Sequence, residues 1–102
     1  MDMLKKYSFE KIKEKFSGQF IVDFEPELTL FMYGKEYMII FFPDGCSFQR
    51  CGYKDGSGEV FYKSLDELYY TETVDGILLK RDWGNIDGFE CWEYSMYHKE
   101  DF

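Results

Sequence analysis

The residues of this 102-residue chain that could do chemistry are three cysteines, one histidine and a surplus of carboxylates. Cys46, Cys51, Cys91 and His98 are the candidate ligands for a zinc ion. Such a site needs ligands in short-spaced pairs. Four residues separate Cys46 from Cys51, at the edge of that spacing, and no second pair matches them. On one strand, residues five apart also point to opposite faces. The expectation is reduced thiols packed as small hydrophobes, with no metal and no other cofactor. A cysteine nucleophile needs a neighbouring base, and His98 lies in a polar stretch expected to fray. Asp66, Glu67, Asp82, Asp87, Glu90 and Glu93 supply carboxylates in number, but nothing marks two of them as general acid and base. Gly56-Ser57-Gly58 is flanked by Asp55 and Glu59 and opens no helix that would fit a phosphate, so it reads as a hairpin loop. The expectation is a protein that is not an enzyme.

Composition points the same way. At 45% hydrophobic and 22% aromatic residues, the chain has enough apolar surface for one packed domain spanning residues 1–102, with 97–102 as a frayed tail. The net charge is −8. Residues 1–15 hold five lysines against three acids, a net of +2, which leaves −10 on the remainder. Such a body repels nucleic acid and suits a partner with a basic surface, met by electrostatic steering. The lysine-rich start lacks the apolar core of a signal peptide, and no apolar run is long enough to span a membrane. A cytoplasmic location with reduced thiols is expected.

The elements that must position these groups centre on residues 60–85. Val60, Phe61 and Tyr62 favour a strand. Ser64, with Glu67 three residues on, is the pattern of a helix-capping box. Leu65, Leu68 and Tyr69 then form one apolar stripe. Asp75-Gly76 reads as a turn, Ile77 to Leu79 return to the core, and Lys80 to Trp83 form a further helical turn. The motifs K-S-L-D-E-L (Lys63–Leu68) and D-G-x-x-L-x-x-x-W (Asp75–Trp83) resemble a segment that recurs in small uncharacterised bacterial and phage-encoded proteins. The resemblance covers about a quarter of the chain and implies no activity and no catalytic residues. The block's exposed edge offers a candidate partner-binding set: Asp66, Glu67, Tyr69, Tyr70, Glu72 and Asp75.

Before this block, Ser8 caps a first helix whose Phe9, Ile12 and Phe16 share a face, with Gly18 ending it. Gln19–Glu25 alternates Phe20, Val22 and Phe24, the pattern of a strand. Glu27–Tyr33 alternates too. A Gly34-Lys35 turn predicts Met32 facing Tyr37, Leu30 facing Ile39 and Leu28 facing Phe41. Phe31, Tyr33, Met38, Ile40 and Phe42 form a second, unusually apolar face. It is expected to be covered by Leu65, Leu68, Ile77, Leu79 and Trp83, and otherwise by a partner or a second copy. Cys46–Tyr53 is a fourth strand whose register depends on a loop of three or four residues after Phe42. Glu59–Tyr62 returns antiparallel, and Phe89–Met96 alternates as a last strand.

The resulting expectation is an α+β fold: an antiparallel meander of five to six strands, an N-terminal helix on one face, and short helices after the fifth strand. The expected function is that of a small acidic protein-interaction module. Its sharper form is an immunity or anti-defence type inhibitor, as mobile elements encode, masking a basic site on a nucleic-acid enzyme. The alternatives are a self-associating structural protein and a metal-binding or enzymatic domain.

Overall fold

The structure, a computed structural model, describes residues 6–52 and 58–98, with the backbone alone at residues 3–4. The elements are β1 (Met3–Leu4), α1 (Phe9–Lys15), α2 (Gln19–Phe24), β2 (Glu27–Met32), β3 (Lys35–Phe42), β4 (Gly45–Arg50), β5 (Val60–Tyr62), α3 (Leu65–Tyr69), α4 (Leu79–Asp82), β6 (Ile86–Glu90) and α5 (Trp92–Tyr97). Short 3₁₀ turns stand at Val74–Gly76 and Trp83–Asn85. The strands form one antiparallel sheet in the order β1-β6-β2-β3-β4-β5. The fold is α+β, with a meander through β2 to β5 and short helices after the fifth strand.

The caps form where the side chains predict them. Ser8 Oγ accepts from the Lys11 N–H at 3.2 Å, and Ser64 Oγ accepts from the Glu67 N–H at 3.1 Å. Each satisfies one of the amides that a helix start leaves without an intrahelical partner.

Residues 19–24 are a helix and not the expected strand. Their alternation also fits i, i+4 spacing, which puts Phe20 and Phe24 on one helical face. Phe20 is buried while Val22 is 54% exposed, so the period-2 pattern did not mark burial. The place beside β2 is taken by β6, which pairs Leu30 with Phe89 and Thr29 with Glu90.

The β2–β3 turn is Tyr33-Gly34, one residue earlier than expected. Both residues have positive φ, 54° and 69°, as a type I′ turn requires. The register becomes Leu30↔Tyr37 and Leu28↔Ile39, with Met32 opposite Lys35. This is a shift of two residues, so every side chain keeps its face. The β3–β4 connection is two residues, Pro43-Asp44, closing on the pair Phe42↔Gly45. That register sends Phe48 inward, where it is 1% exposed.

The last strand starts earlier and ends earlier than its alternation suggests. β6 stops at Glu90, and Trp92–Tyr97 turns helical, with Cys91 Sγ accepting the Tyr94 N–H at 3.4 Å. The helix seats the buried Tyr94 ring against Phe16 and Phe20. Tyr97 and His98 also lie with their rings against Phe20. Residues 99–102 of the expected tail, Tyr53 at the end of the expected fourth strand, and residues 54–57 of the expected hairpin loop lie outside the described residues.

One core results. Leu28, Leu30, Met32, Tyr37, Ile39, Phe41 and Phe48 meet Phe9, Ile12 and Phe16 of the first helical segment. The later helices join that same layer: Phe9 stacks on Tyr69 at 3.7 Å and meets Trp83 edge-on at 5.3 Å. Leu68, Ile77, Leu79 and Trp83 are therefore buried on the face α1 already covers. The expectation that they cover the opposite face is overturned. The reason lies in β5. Tyr62 points into the core, and the capped α3 directly after it continues on that side, where it shares one desolvated cluster instead of starting a second.

Candidate interaction surface

The sheet face opposite the helices has no covering layer among the described residues. Alternation along each strand places Glu27, Thr29 and Phe31 of β2, Glu36, Met38, Ile40 and Phe42 of β3, Ser47 and Gln49 of β4, Phe61 of β5 and Glu90 of β6 on it. Phe31, Met38, Ile40 and Phe42 are half-buried, Ser47 is fully buried, and Phe61 is 66% exposed. The Phe42 and Phe61 rings lie 6.0 Å apart across the sheet. An apolar strip thus runs from Phe31 through Met38 and Ile40 to Phe42 and Phe61.

Carboxylates flank this strip. Glu59 accepts a hydrogen bond from Ser47 Oγ at 2.9 Å beside β5. At the opposite margin, Glu27, Thr29, Met38, Glu90, Trp92 and Glu93 line a concavity of about 290 Å³. Glu93 is held in place there. Its carboxylate accepts from the Glu27 N–H at 3.4 Å and from the Cys91 thiol at 3.8 Å. Trp92, in the first turn of α5, is 57% exposed. No lysine, arginine or histidine occupies an outward position on the described strands. Lys35 and Arg50 fall on the other alternation, and Arg50 pairs with Asp75 at 3.3 Å.

The residues singled out after Ser64 stand on α3 and the turn after it, on the helical side, and three of them are engaged by the chain's own groups. Asp66 pairs with Lys13 at 2.8 Å. Tyr69 is packed on Phe9. Asp75 sits in a left-handed turn (φ 58°) that aims its carboxylate at the chain's own groups; it accepts from the Tyr37 hydroxyl at 3.0 Å and from Arg50. Glu67, Tyr70 and Glu72 are exposed, with the Lys80 ammonium 4.9 Å from the Tyr70 ring centre.

Asp82, one of the carboxylates singled out from the sequence, is the buried charged residue among the described residues. It accepts from the Leu78 N–H at 3.0 Å, from Arg81 at 2.9 and 3.1 Å, and from the Tyr33 hydroxyl at 2.9 Å. Arg81 holds its carboxyl down at about 2, helped by the Leu78 amide and the Tyr33 hydroxyl against the opposing effect of burial. Each oxygen faces a donor of its own chain, which makes Asp82 a structural anion and not a general base.

The thiols are equally quiet. Cys46 and Cys91 are buried, and desolvation pushes both up to about 12. Among the described residues no group of histidines, cysteines and carboxylates is placed to hold a metal ion, and no helix is long and apolar enough to cross a membrane.

Two residues central to this surface, Phe61 and Trp92, were not identified as exposed from the sequence. Alternation around Phe61 gave a signal, since Tyr62 is inward. Trp92 gave none, because its stretch reads as a strand. Comparison with models of known protein families, with curated proteins and with solved structures finds no match.

Proposed function

We propose that this chain is a non-enzymatic protein-interaction module whose docking surface is the open face of the sheet. The observation that carries this reading is that face itself: five apolar side chains on a regular sheet, left without a layer by the described residues, among which only the start of α5 reaches its margin. A sheet face of this kind ordinarily gains a second layer, and a contiguous exposed apolar patch marks an interaction site. The carboxylates at its margins and the net charge of −8 favour a partner whose surface is basic, and they hasten its approach. A basic site on a nucleic-acid enzyme has that character. The biological form proposed is therefore a masking inhibitor of the immunity or anti-defence type, acting in the cytoplasm.

The test is affinity capture with the immobilised chain. A partner should be retained in stoichiometric amount at low salt and released at about 0.5 M salt, where the screening length falls to a few Å. Ile40→Glu, which leaves the helical side untouched, should abolish retention. Capture that survives this substitution with an unchanged salt dependence would sink the open face as the docking surface.

A second reading, self-association through the same strip, is favoured by its aromatic content. It is opposed by the charge on its margins, because an isologous contact brings the same patch of each copy together and here would set glutamates against glutamates.

A further inference from the structure

We infer that the Trp92 corner of the open face receives an arginine side chain of the partner protein. This rests on the open face being the docking surface and adds what the partner must carry and where.

The occupant is argued from charge and shape together. Thr29 stands opposite both Glu90 and Met38 in register, so Glu90, Thr29 and Met38 form one row across β6, β2 and β3. Glu27 lies two residues along β2, beside this row, and α5 brings Trp92 and Glu93 over it. Three carboxylates, one indole and one thioether thus line a single concavity. No cation of the described strands faces it. The two cations that these strands carry, Lys35 and Arg50, have the core-side alternation, and Arg50 is committed to Asp75. The corner is preorganised on the acidic side, since Glu93 is fixed by the Glu27 amide and the Cys91 thiol before any partner arrives. On the aromatic side, the chain buries its other tryptophan to 8% exposure yet leaves Trp92 at 57%.

Arginine meets all of these features at once. Its planar guanidinium stacks on an indole and forks to carboxylates in the same pose, and its hydrocarbon stem covers an apolar floor such as Met38. A lysine ammonium is a point charge and cannot stack and fork together. A second copy of this face offers no cation from its described strands. The rest of the partner's contact is then apolar, over Ile40, Phe42 and Phe61.

The chain holds two tryptophans, so the indole N–H signals in a proton–nitrogen NMR spectrum report the corner directly. Trp83 donates its indole N–H to the Tyr7 carbonyl at 2.9 Å and serves as the internal reference. The probes are blocked tripeptides, Leu-Arg-Leu and its Leu-citrulline-Leu and Leu-Lys-Leu counterparts. The arginine peptide should shift the Trp92 indole and the Thr29 and Met38 amides saturably. It should bind about ten-fold or more tightly than the neutral citrulline peptide, the expected ratio for stacking plus a charged hydrogen bond. Glu90→Gln and Glu93→Gln should each weaken it several-fold. Equal shifts from the arginine and citrulline peptides, equal binding of the lysine peptide, or non-saturating shifts scattered over the acidic surface would each overturn the assignment. Those failures leave the Ile40→Glu capture result standing. Conversely, capture that ignores Ile40→Glu defeats the docking surface even if the peptide titrates the corner.

Discussion

The Tyr33 hydroxyl donates to the Asp82 carboxylate at 2.9 Å and accepts from the Asn85 side-chain amide at 2.7 Å. This bond ties the I′ turn between β2 and β3 to the α4 segment, 49 residues away in the chain. It explains how a tyrosine comes to hold positive φ in a turn: the strained backbone position is supported by a buried acceptor. The acceptor also raises the Tyr33 hydroxyl above its ordinary range.

Asp82 should give the fold an acid limit. Its carboxyl titrates at about 2 in the folded chain, below its ordinary value of 3.8. A group depressed on folding stabilises at pH above the ordinary value, and that contribution is lost as pH falls through the folded one. Melting temperature should therefore drop between about pH 4 and pH 2. Asp82→Asn should remove part of that slope and, at pH 7, destabilise by about 2 kcal/mol, the size of a lost charged hydrogen bond. Tyr33→Phe should give a smaller loss. A variant whose acid melt parallels the parent's would show that Asp82 is not the group responsible.

Thiol labelling should be uneven. Cys46 and Cys91 are buried with raised pKa values near 12, whereas Cys51, also raised by desolvation and by the Glu36 and Glu27 charges, is only half-buried and open to reagent. The thiolate is the reactive form. Native protein at pH 8 should take up one equivalent of an alkylating reagent at Cys51, and denatured protein all three. Fast native labelling at Cys46 or Cys91 would contradict the packing of β4 against β5 or of the α5 start.

Much of this structure was legible because the relevant signals are local. Ser8 and Ser64 announce their helices through capping chemistry, and Gly34 marks a turn to within one residue. The face assignments of β2 and β3 survived the misplaced turn because the error was an even number of residues. Two non-local choices were not legible. Phe20, Val22 and Phe24 fit a strand, Phe20 and Phe24 alone fit a helix face, and the choice was made by β6 occupying the place beside β2. The stripe of Leu65 and Leu68 shows that α3 buries a face but not which side of the sheet receives it. That second ambiguity decides the candidate site, since it determines whether Ile40 and Phe42 are core or surface. The acidic and aromatic residues between 66 and 75 drew notice by composition. Composition does not show that Asp66 and Asp75 are neutralised within the chain by Lys13 and Arg50.

The Ser64 cap supports the segment that carries Leu68 into the core. Ser64→Ala should cost about 1 kcal/mol, or about 5 °C in melting temperature for a domain of this size. An unchanged melt would mean that tertiary contacts alone hold α3.

Adjacent residues on β3 should behave as opposites. Ile39 is fully buried under the helices and Ile40 is half-exposed on the open face. Ile39→Asp places an unpaired carboxylate in the core at a cost of several kcal/mol, comparable with the whole stability of a small domain. Ile40→Asp keeps its carboxylate in water and should cost about 1 kcal/mol. Circular dichroism melts of the pair decide the matter. Equal loss of folding would mean that a layer covers the open face.

The remaining question is whether a second copy supplies that layer. Each copy would bring Glu27, Glu36, Glu90 and the neighbouring Glu93 to the contact with no described strand cation to meet them, and each carries a net charge of −8. Repulsion between like charges that lose water on contact amounts to several kcal/mol across an interface and opposes the gain from the strip, in which four side chains are half-buried and Phe61 is exposed. Mass from light scattering should therefore stay at 12.3 kDa over a wide concentration range at neutral pH and low salt. Association should appear only when the glutamates are screened at about 1 M salt, and Phe61→Glu should suppress it. A mass that doubles with concentration at low salt, and reverts to monomer with Ile40→Glu, would make the second copy the occupant and remove the argument for a basic partner.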